Sequence, residues 1–246
     1  RPHPASEPPV FSPAEPVAAW THLLGALVAL GFALPLLRAG RGDPRRQRVL
    51  GLFAFSVFLQ LAISGIYHWQ ALEGESRLIL QRADHAAIWL VVVGCFLPIR
   101  HYLFSLRFGS GLLVLITLVA SLGLLLETAL HDVIPSWIVV LLYVVFGSIG
   151  TPVALWLVAT RGLRYTLTFF LCGVTFSAAA MIELIEEPTL VEGLVGYHEI
   201  VHVLVLLGFA FHWAFVAKLT REAKLLPNFD RLSEVEVRAE SEAHAA

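Results

Sequence analysis

The chain has 246 residues, of which 57% are hydrophobic and only 15% are charged, and its mean hydropathy is +0.75. Soluble domains average about 45–50% apolar and about 25% charged residues, so a soluble chain of this composition would lack the charges to coat its cores. The 17 basic residues are outnumbered by 19 acidic ones, which leaves no surplus to neutralise phosphates. The composition excludes a nucleic-acid binder, a disordered chain and a secreted disulfide scaffold, and it predicts a membrane protein.

Seven segments are long and apolar enough to cross a membrane, since a span needs about 20 apolar residues and lipid forces each span to be a helix. In chain order they are 17–37, 48–69, 79–99, 108–128, 135–157, 163–185 and 196–217. The pattern predicts an all-α, seven-transmembrane helix bundle at 17–218, with a tail at 1–16 and another at 219–246. A Pro-rich start without a cleavage signal indicates that the first span is retained and is not a signal peptide.

Basic residues gather in alternate links between these spans. One side carries Arg38, Arg41, Arg45, Arg46, Arg48, Arg100, Arg107, Arg161, Arg164, Lys218, Arg221 and Lys224. The other side carries Arg1, Arg77 and Arg82 together with six acidic residues. Because positive residues stay cytoplasmic, we expect the N-terminus outside and the C-terminus in the cytoplasm.

Polar residues inside the spans cluster at one level of the bundle. The second span ends with Ser64 and His68, and the third begins with Asp84. The seventh begins with His198 and His202. Both histidine-containing pairs are separated by four residues, so each pair lies on one helix face. With a rise of about 1.5 Å per residue and alternating span directions, these side chains fall within about 10 Å of one plane, toward the outer leaflet.

Three histidines with an open fourth position form a catalytic zinc arrangement. In this interpretation Asp84 holds or deprotonates the metal's water without binding the metal. Ser64, one turn deeper than His68, orients a ligand or stabilises an oxyanion. The alternatives are interfacial histidines without a ligand, a b-type haem, and another metal that imidazole binds, such as Fe, Ni or Cu. Two histidines on one helix face favour a compact ion over a porphyrin.

Other polar residues receive weaker assignments. His22 is expected either beside the metal or in helix packing, and His85 in a helix contact or at the lipid edge. Glu127 and Glu183 are expected at the membrane boundary, with Glu183 also a candidate for a water path or a cation. Glu15 is expected in solvent or as a cap over the site.

Three further side chains are expected to lie outside the cluster. Cys95 and Cys172 lie in separate apolar runs and are interpreted as buried thiols that behave as small hydrophobic groups. His212 lies about 20 Å from His198 along the same helix, and therefore belongs to the cytoplasmic end.

The three-part set, Ser64-x-x-x-His68, Asp84 and His198-x-x-x-His202, resembles the hemolysin III family, which is grouped with the adiponectin/progestin receptors and the alkaline ceramidases. Local strings also resemble bacterial members of that family: Glu15 followed by Thr21-His22-Leu-Leu-Gly25, Asp84-His85-Ala86-Ala87-Ile88 and His198-Glu199-Ile-Val-His202. The resemblance extends from about residue 15 to 218, with Ala18 standing where an Asn is expected.

This resemblance implies an intramembrane zinc bound by His68, His198 and His202, with Asp84 matching the acid that holds the zinc water and Ser64 the family serine. It also implies hydrolysis of a lipid amide such as ceramide, in the inner membrane of a bacterium. The leading hypothesis is therefore a zinc-dependent membrane hydrolase whose substrate is a membrane lipid. The alternatives are a non-catalytic sensor or receptor with structural zinc, and a hemolysin-type protein that permeabilises membranes. The lipid and the oligomeric state stay open.

Overall fold

The computed structural model describes residues 13–70, 74–104, 106–129, 133–192 and 195–225. These residues form the helices α1 (Pro16–Ala39), α2 (Pro44–Trp69), α3 (Glu75–Leu103), α4 (Leu106–Ala129), α5 (Ser136–Gly147), α6 (Gly150–Arg161), α7 (Leu163–Ile185) and α8 (Tyr197–Leu225). Seven spans result, because α5 and α6 together cross the membrane once. The chain is an integral membrane protein, and the predicted all-α, seven-helix fold is confirmed.

The predicted tails fall mostly outside this description. Residues 1–12 of the N-terminal tail and 226–246 of the C-terminal tail lie outside the described residues, as do the side chains of Arg107 and Lys224. The boundaries at 16 and 218 stay predictions. The last helix continues past 218 to Leu225, beyond the predicted end of the seventh span.

Helix α2 begins at a strong local signal. Asp43 precedes it and accepts hydrogen bonds from the backbone N–H groups of Arg45 at 2.8 Å and Arg46 at 3.2 Å, which satisfies donors that have no partner within the helix. Pro44 follows as the first helical residue, where its missing N–H costs nothing. The helix therefore starts four residues before the span predicted from hydropathy.

The span predicted at 135–157 is interrupted halfway. Helix α5 ends at Gly147 and α6 begins at Gly150, and the backbone N–H of Ser148 still donates to the carbonyl of Val144 over 2.9 Å. Two glycines lower the helix propensity here. Pro152, in the first turn of α6, cannot donate to the preceding turn and disfavours a continuous helix. The break therefore follows from local sequence that a hydropathy average does not detect.

Two apolar cores hold the bundle together. The larger core joins α1, α2, α3, α6, α7 and α8, and includes Phe53, Leu61, Leu157 and Phe215. The smaller core joins α3, α4 and α5 through Trp89, Ile116, Ala120 and Phe146. Large apolar side chains on the outer faces, such as Leu27, Leu118 and Leu155, are more than half exposed, as expected of surfaces that face lipid. Helix α2 lies between α1 and α3, and α8 contacts α7, α1 and α3. The C-terminal end of α2 and the N-terminal ends of α3 and α8 therefore lie at the same end of the bundle.

Candidate metal centre

The three histidines predicted to bind a metal converge at this end. His68 lies in the last turn of α2, whereas His198 and His202 lie in the first two turns of α8. Each offers one ring nitrogen, and the three nitrogens lie within 4.8 Å of one another. The Nε2 atoms of His198 and His202 are 3.0 Å apart. The cluster is therefore compatible with a metal site built from two helices.

Local contacts fix the two helix ends that carry the histidines. At the start of α8, the backbone N–H of Gly196 donates to Oε2 of Glu199 over 2.8 Å, half of a capping box. At the end of α2, the guanidinium of Arg77 donates to the carbonyl oxygens of Tyr67 and Gln70, at 3.5 and 3.3 Å. These bonds satisfy backbone groups that a helix terminus leaves open, and they stabilise the helix ends that carry the histidines.

Two carboxylates form hydrogen bonds with the Nδ1 atoms of two histidines of the cluster. Nδ1 of His68 lies 2.8 Å from Oε2 of Glu15, and Nδ1 of His198 lies 3.2 Å from Oε2 of Glu183. Because a carboxylate accepts hydrogen bonds, Nδ1 is the donor in each pair, and Nε2 is left with its lone pair. Glu15, expected in solvent or as a cap, and Glu183, expected at the membrane boundary or in a water path or cation site, therefore contact the cluster directly.

Glu15 is also bound by a cation. Nη2 of Arg77 lies 2.6 Å from Oε2 of Glu15, and the guanidinium stacks 4.4 Å from the ring centre of Tyr67. Partial burial favours the neutral acid, but the hydrogen bonds from His68 and Arg77 outweigh it and lower the pKa of Glu15 to about 2. Glu15 is a carboxylate at neutral pH. The sequence predicted Arg77 only as a charge on the outer side, since no local pattern pairs it with a residue 62 positions earlier.

Asp84 is buried in α3 and is oriented by α2. Its Oδ1 accepts a hydrogen bond from Nε2 of Gln60 at 3.0 Å, and Ser64, one turn further along α2, is also buried. Gln60 is not among the residues predicted from the sequence. The signal was nevertheless present, because Ser56, Gln60, Ser64 and His68 follow one another at intervals of four, and all are buried on one face of α2.

His22 lies against the cluster from α1. Its ring centre is 3.9 Å from that of His202, and its side chain is buried. Among the described residues, neither ring nitrogen of His22 has a hydrogen-bond partner, and Nδ1 of His202 has none either. Buried polar atoms are normally satisfied, so these three nitrogens mark a place where a ligand or water completes the structure.

Two histidines form groups apart from the three-histidine cluster. Nδ1 of His85 lies 3.3 Å from Oε2 of Glu127, whose Oε1 accepts a hydrogen bond from the hydroxyl of Tyr143 at 3.2 Å. This group joins α3, α4 and α5, and Glu127 is only 3% exposed. Nε2 of His212 lies 3.1 Å from the carbonyl oxygen of Cys95, so His212 stays outside the cluster, as predicted.

A comparison with known protein families identifies the family of this chain. The family model described as haemolysin-III related matches residues 12–213, a range that includes Glu15 and all three histidines of the cluster. The match covers most of the chain, and the chain therefore belongs to the haemolysin-III-related family. The resemblance inferred from the three-part motif is confirmed.

Proposed function

We propose that this haemolysin-III-related protein is a zinc-dependent membrane hydrolase that cleaves the amide bond of a lipid with water. The observation that carries the proposal is the convergence of His68, His198 and His202, whose ring nitrogens lie within 4.8 Å of one another. Asp84 is buried on α3, where it is bound by Gln60 of α2, the helix that carries His68. Three imidazoles accompanied by a carboxylate that is not a ligand are the donor set of catalytic zinc sites.

The donor set fits zinc. Tetrahedral zinc with bonds of 2.0–2.1 Å holds its ligand nitrogens about 3.3 Å apart, close to the 3.0 Å between the Nε2 atoms of His198 and His202. The unpartnered nitrogens beside the cluster, on His22 and His202, are further polar atoms that a filled site would satisfy through water. Because imidazole also binds iron, nickel and copper, the metal itself has to be measured.

Each protein group has a task in amide hydrolysis. Bound zinc supplies a Lewis acid and a water whose pKa is lowered toward about 7. Asp84 takes the proton of the attacking water and returns it to the leaving amine, and Gln60 keeps the carboxylate in position by donating to Oδ1. Ser64 donates a hydrogen bond to the carbonyl oxygen of the substrate as negative charge develops there.

A lipid is the substrate class that the location supports. The cluster lies at the ends of membrane-spanning helices, and the outer faces of these helices are apolar. An acyl chain can approach between the helices while its polar amide reaches the histidines. In the orientation predicted from the basic residues, with the N-terminus outside, the site opens toward the outer leaflet of a bacterial inner membrane.

The first experiment measures metal content in detergent-purified protein. We expect about one zinc per chain in the wild type, and loss of the metal in a His198→Ala, His202→Ala double variant. His212→Ala is the matched control, because it removes a buried histidine of the same helix that lies outside the cluster. A wild-type protein without stoichiometric metal would overturn the proposal.

The second experiment supplies a panel of lipid amides, including ceramides of several acyl lengths, and measures released fatty acid. Release that requires the three histidines and Asp84 would support the hydrolase. Zinc without any product would favour a sensor or receptor in which the metal is structural. Zinc-independent leakage of a dye from liposomes would favour a membrane-permeabilising protein.

A further inference from the structure

We infer that Glu15 and Glu183 are positioning residues of the metal centre, which select the nitrogen that each histidine presents and supply the negative charge that retains the ion. The inference rests on the metal-binding part of the proposed function and does not require hydrolysis. It assigns a shared task to two acids that are far apart in the sequence, one just before α1 and the other near the end of α7.

The hydrogen bonds determine which atoms face the centre. With Nδ1 of His68 bound to Glu15 and Nδ1 of His198 bound to Glu183, only Nε2 of each ring is free for a metal. The 3.0 Å separation between Nε2 of His198 and Nε2 of His202 independently shows that the Nε2 side faces inward. Histidines that bind metals almost always donate their second N–H to a carboxylate, carbonyl or water, and here the carboxylates are already in place.

The same acids also compensate the positive charge of a bound metal ion. Three neutral imidazoles leave the double positive charge of zinc uncompensated among membrane-spanning helices, where charge is costly. Glu15 and Glu183 each place a carboxyl group within 3.2 Å of a ring nitrogen of the cluster, and Arg77 offsets part of the charge of Glu15 through its 2.6 Å contact. Acidic groups at this distance favour a cation among the three rings.

The two acids differ in what else they support. Arg77 binds Glu15 and also the last carbonyl groups of α2, so a change at Glu15 disturbs both the hydrogen bond to His68 and the helix end that carries His68. Glu183 lies near the end of α7, and its contact with His198 is made to a different helix, α8. A change at Glu183 therefore tests the positioning of His198 without disturbing the end of α8 itself.

The test is zinc affinity of the purified full chain, measured by competition with a chelating dye. We expect Glu15→Gln and Glu183→Gln each to weaken zinc binding by about 10- to 100-fold. Glu199→Gln is the matched control, because it removes the same charge one residue from His198, while the glutamine oxygen can still accept the hydrogen bond from the backbone N–H of Gly196 that caps α8. We expect it to change affinity by about threefold or less. Glu183→Asp should recover part of the affinity, because it keeps the charge.

Two controls keep the outcomes separate. The melting temperatures of the metal-free variants identify any variant that fails to fold, and the visible spectrum of the cobalt-substituted protein reports directly on ligand geometry. Wild-type affinity and spectrum in both Glu15→Gln and Glu183→Gln would overturn this inference and leave the proposed function intact. Absence of metal from the wild type would overturn both. Weakened binding in the variants of a protein that hydrolyses nothing would support the inference alone.

Discussion

Nε2 of Gln60 donates a hydrogen bond to Oδ1 of Asp84 across 3.0 Å, in the buried contact between α2 and α3. Gln60 lies two turns from His68 on the same face of α2. One helix therefore carries a candidate metal ligand and also orients the carboxylate proposed to move the proton. Asp84 is held at the level of Gln60 and Ser64, slightly deeper in the bundle than the histidines.

Replacing Gln60 by Leu should destabilise the protein and reduce turnover. The buried carboxylate of Asp84 would lose a donor, and an unmet polar group of this kind costs about 1–3 kcal/mol. Thermal unfolding in detergent measures the change. Ser56→Ala is the control on the same face, because its hydroxyl bonds only within its own helix, to the carbonyl of Phe53 at 2.8 Å among the described contacts. Equal stability of the two variants would contradict the prediction.

Asp84→Asn should keep the metal and abolish hydrolysis. The amide has nearly the same shape as the carboxylate and can still bond to Gln60, but it cannot accept a proton from water. Zinc content and fatty-acid release, measured on the same preparation, test the two halves of this prediction. Full activity in the variant would remove Asp84 from the mechanism.

Tyr143→Phe should lower stability without changing zinc affinity. The hydroxyl of Tyr143 donates to Glu127 at 3.2 Å, and its removal leaves a buried acid with one donor fewer. We expect a cost of about 1–3 kcal/mol. Because this group joins α3, α4 and α5 rather than the helices that carry the histidines, chelator competition should give the wild-type value. A weaker zinc affinity would mean that the group is coupled to the metal centre.

The cap of α2 should make stability sensitive to acid. Slight burial favours neutral Asp43, but the backbone N–H groups of Arg46 and Arg45 outweigh it, with nearby Arg46 and His101 helping, and lower the pKa of Asp43. A lowered pKa stabilises the fold fully above the ordinary aspartate value of about 4, and this contribution disappears as the pH falls through the lowered value. Asp43→Asn should keep the cap but remove its share of the acid dependence. The check is the melting temperature of both proteins between about pH 2 and 6. The prediction is refuted if the melting temperatures of the wild type and of Asp43→Asn fall equally with decreasing pH.

Gly123→Ala should be destabilising, whereas Gly111→Ala should not. A methyl group on Gly123 would overlap the indole of Trp89, which is fully enclosed and cannot move aside, and such overpacking costs about 1–3 kcal/mol. Gly111, on the same helix α4, has open space around it. Alanine there is neutral or gains up to about 1 kcal/mol from its helix propensity. Similar melting temperatures for the two variants would show that α4 does not pack as described.

The spans and the convergence of the histidines were predictable because both follow from spacing. An interval of four residues fixes a helix face, and alternating directions bring the end of α2 to the start of α8. The contact of Arg77 with Glu15 was not predictable, because it depends on how three helix ends pack in space. The interruption between Gly147 and Gly150 was missed for a different reason, since hydropathy averages over the local propensities that cause it.

The buried polar face of α2, formed by Ser56, Gln60, Ser64 and His68, also bears on how the protein is made. A newly inserted α2 that is alone in the bilayer exposes this face to hydrocarbon, which disfavours polar side chains. Association with α3 relieves the exposure, because Ser56 packs against Gly94 and Gln60 finds Asp84. The pairing of α2 with α3 is therefore favourable during synthesis, before α8 has left the ribosome. The histidine cluster is then completed last, when α8 packs against helices that have already associated.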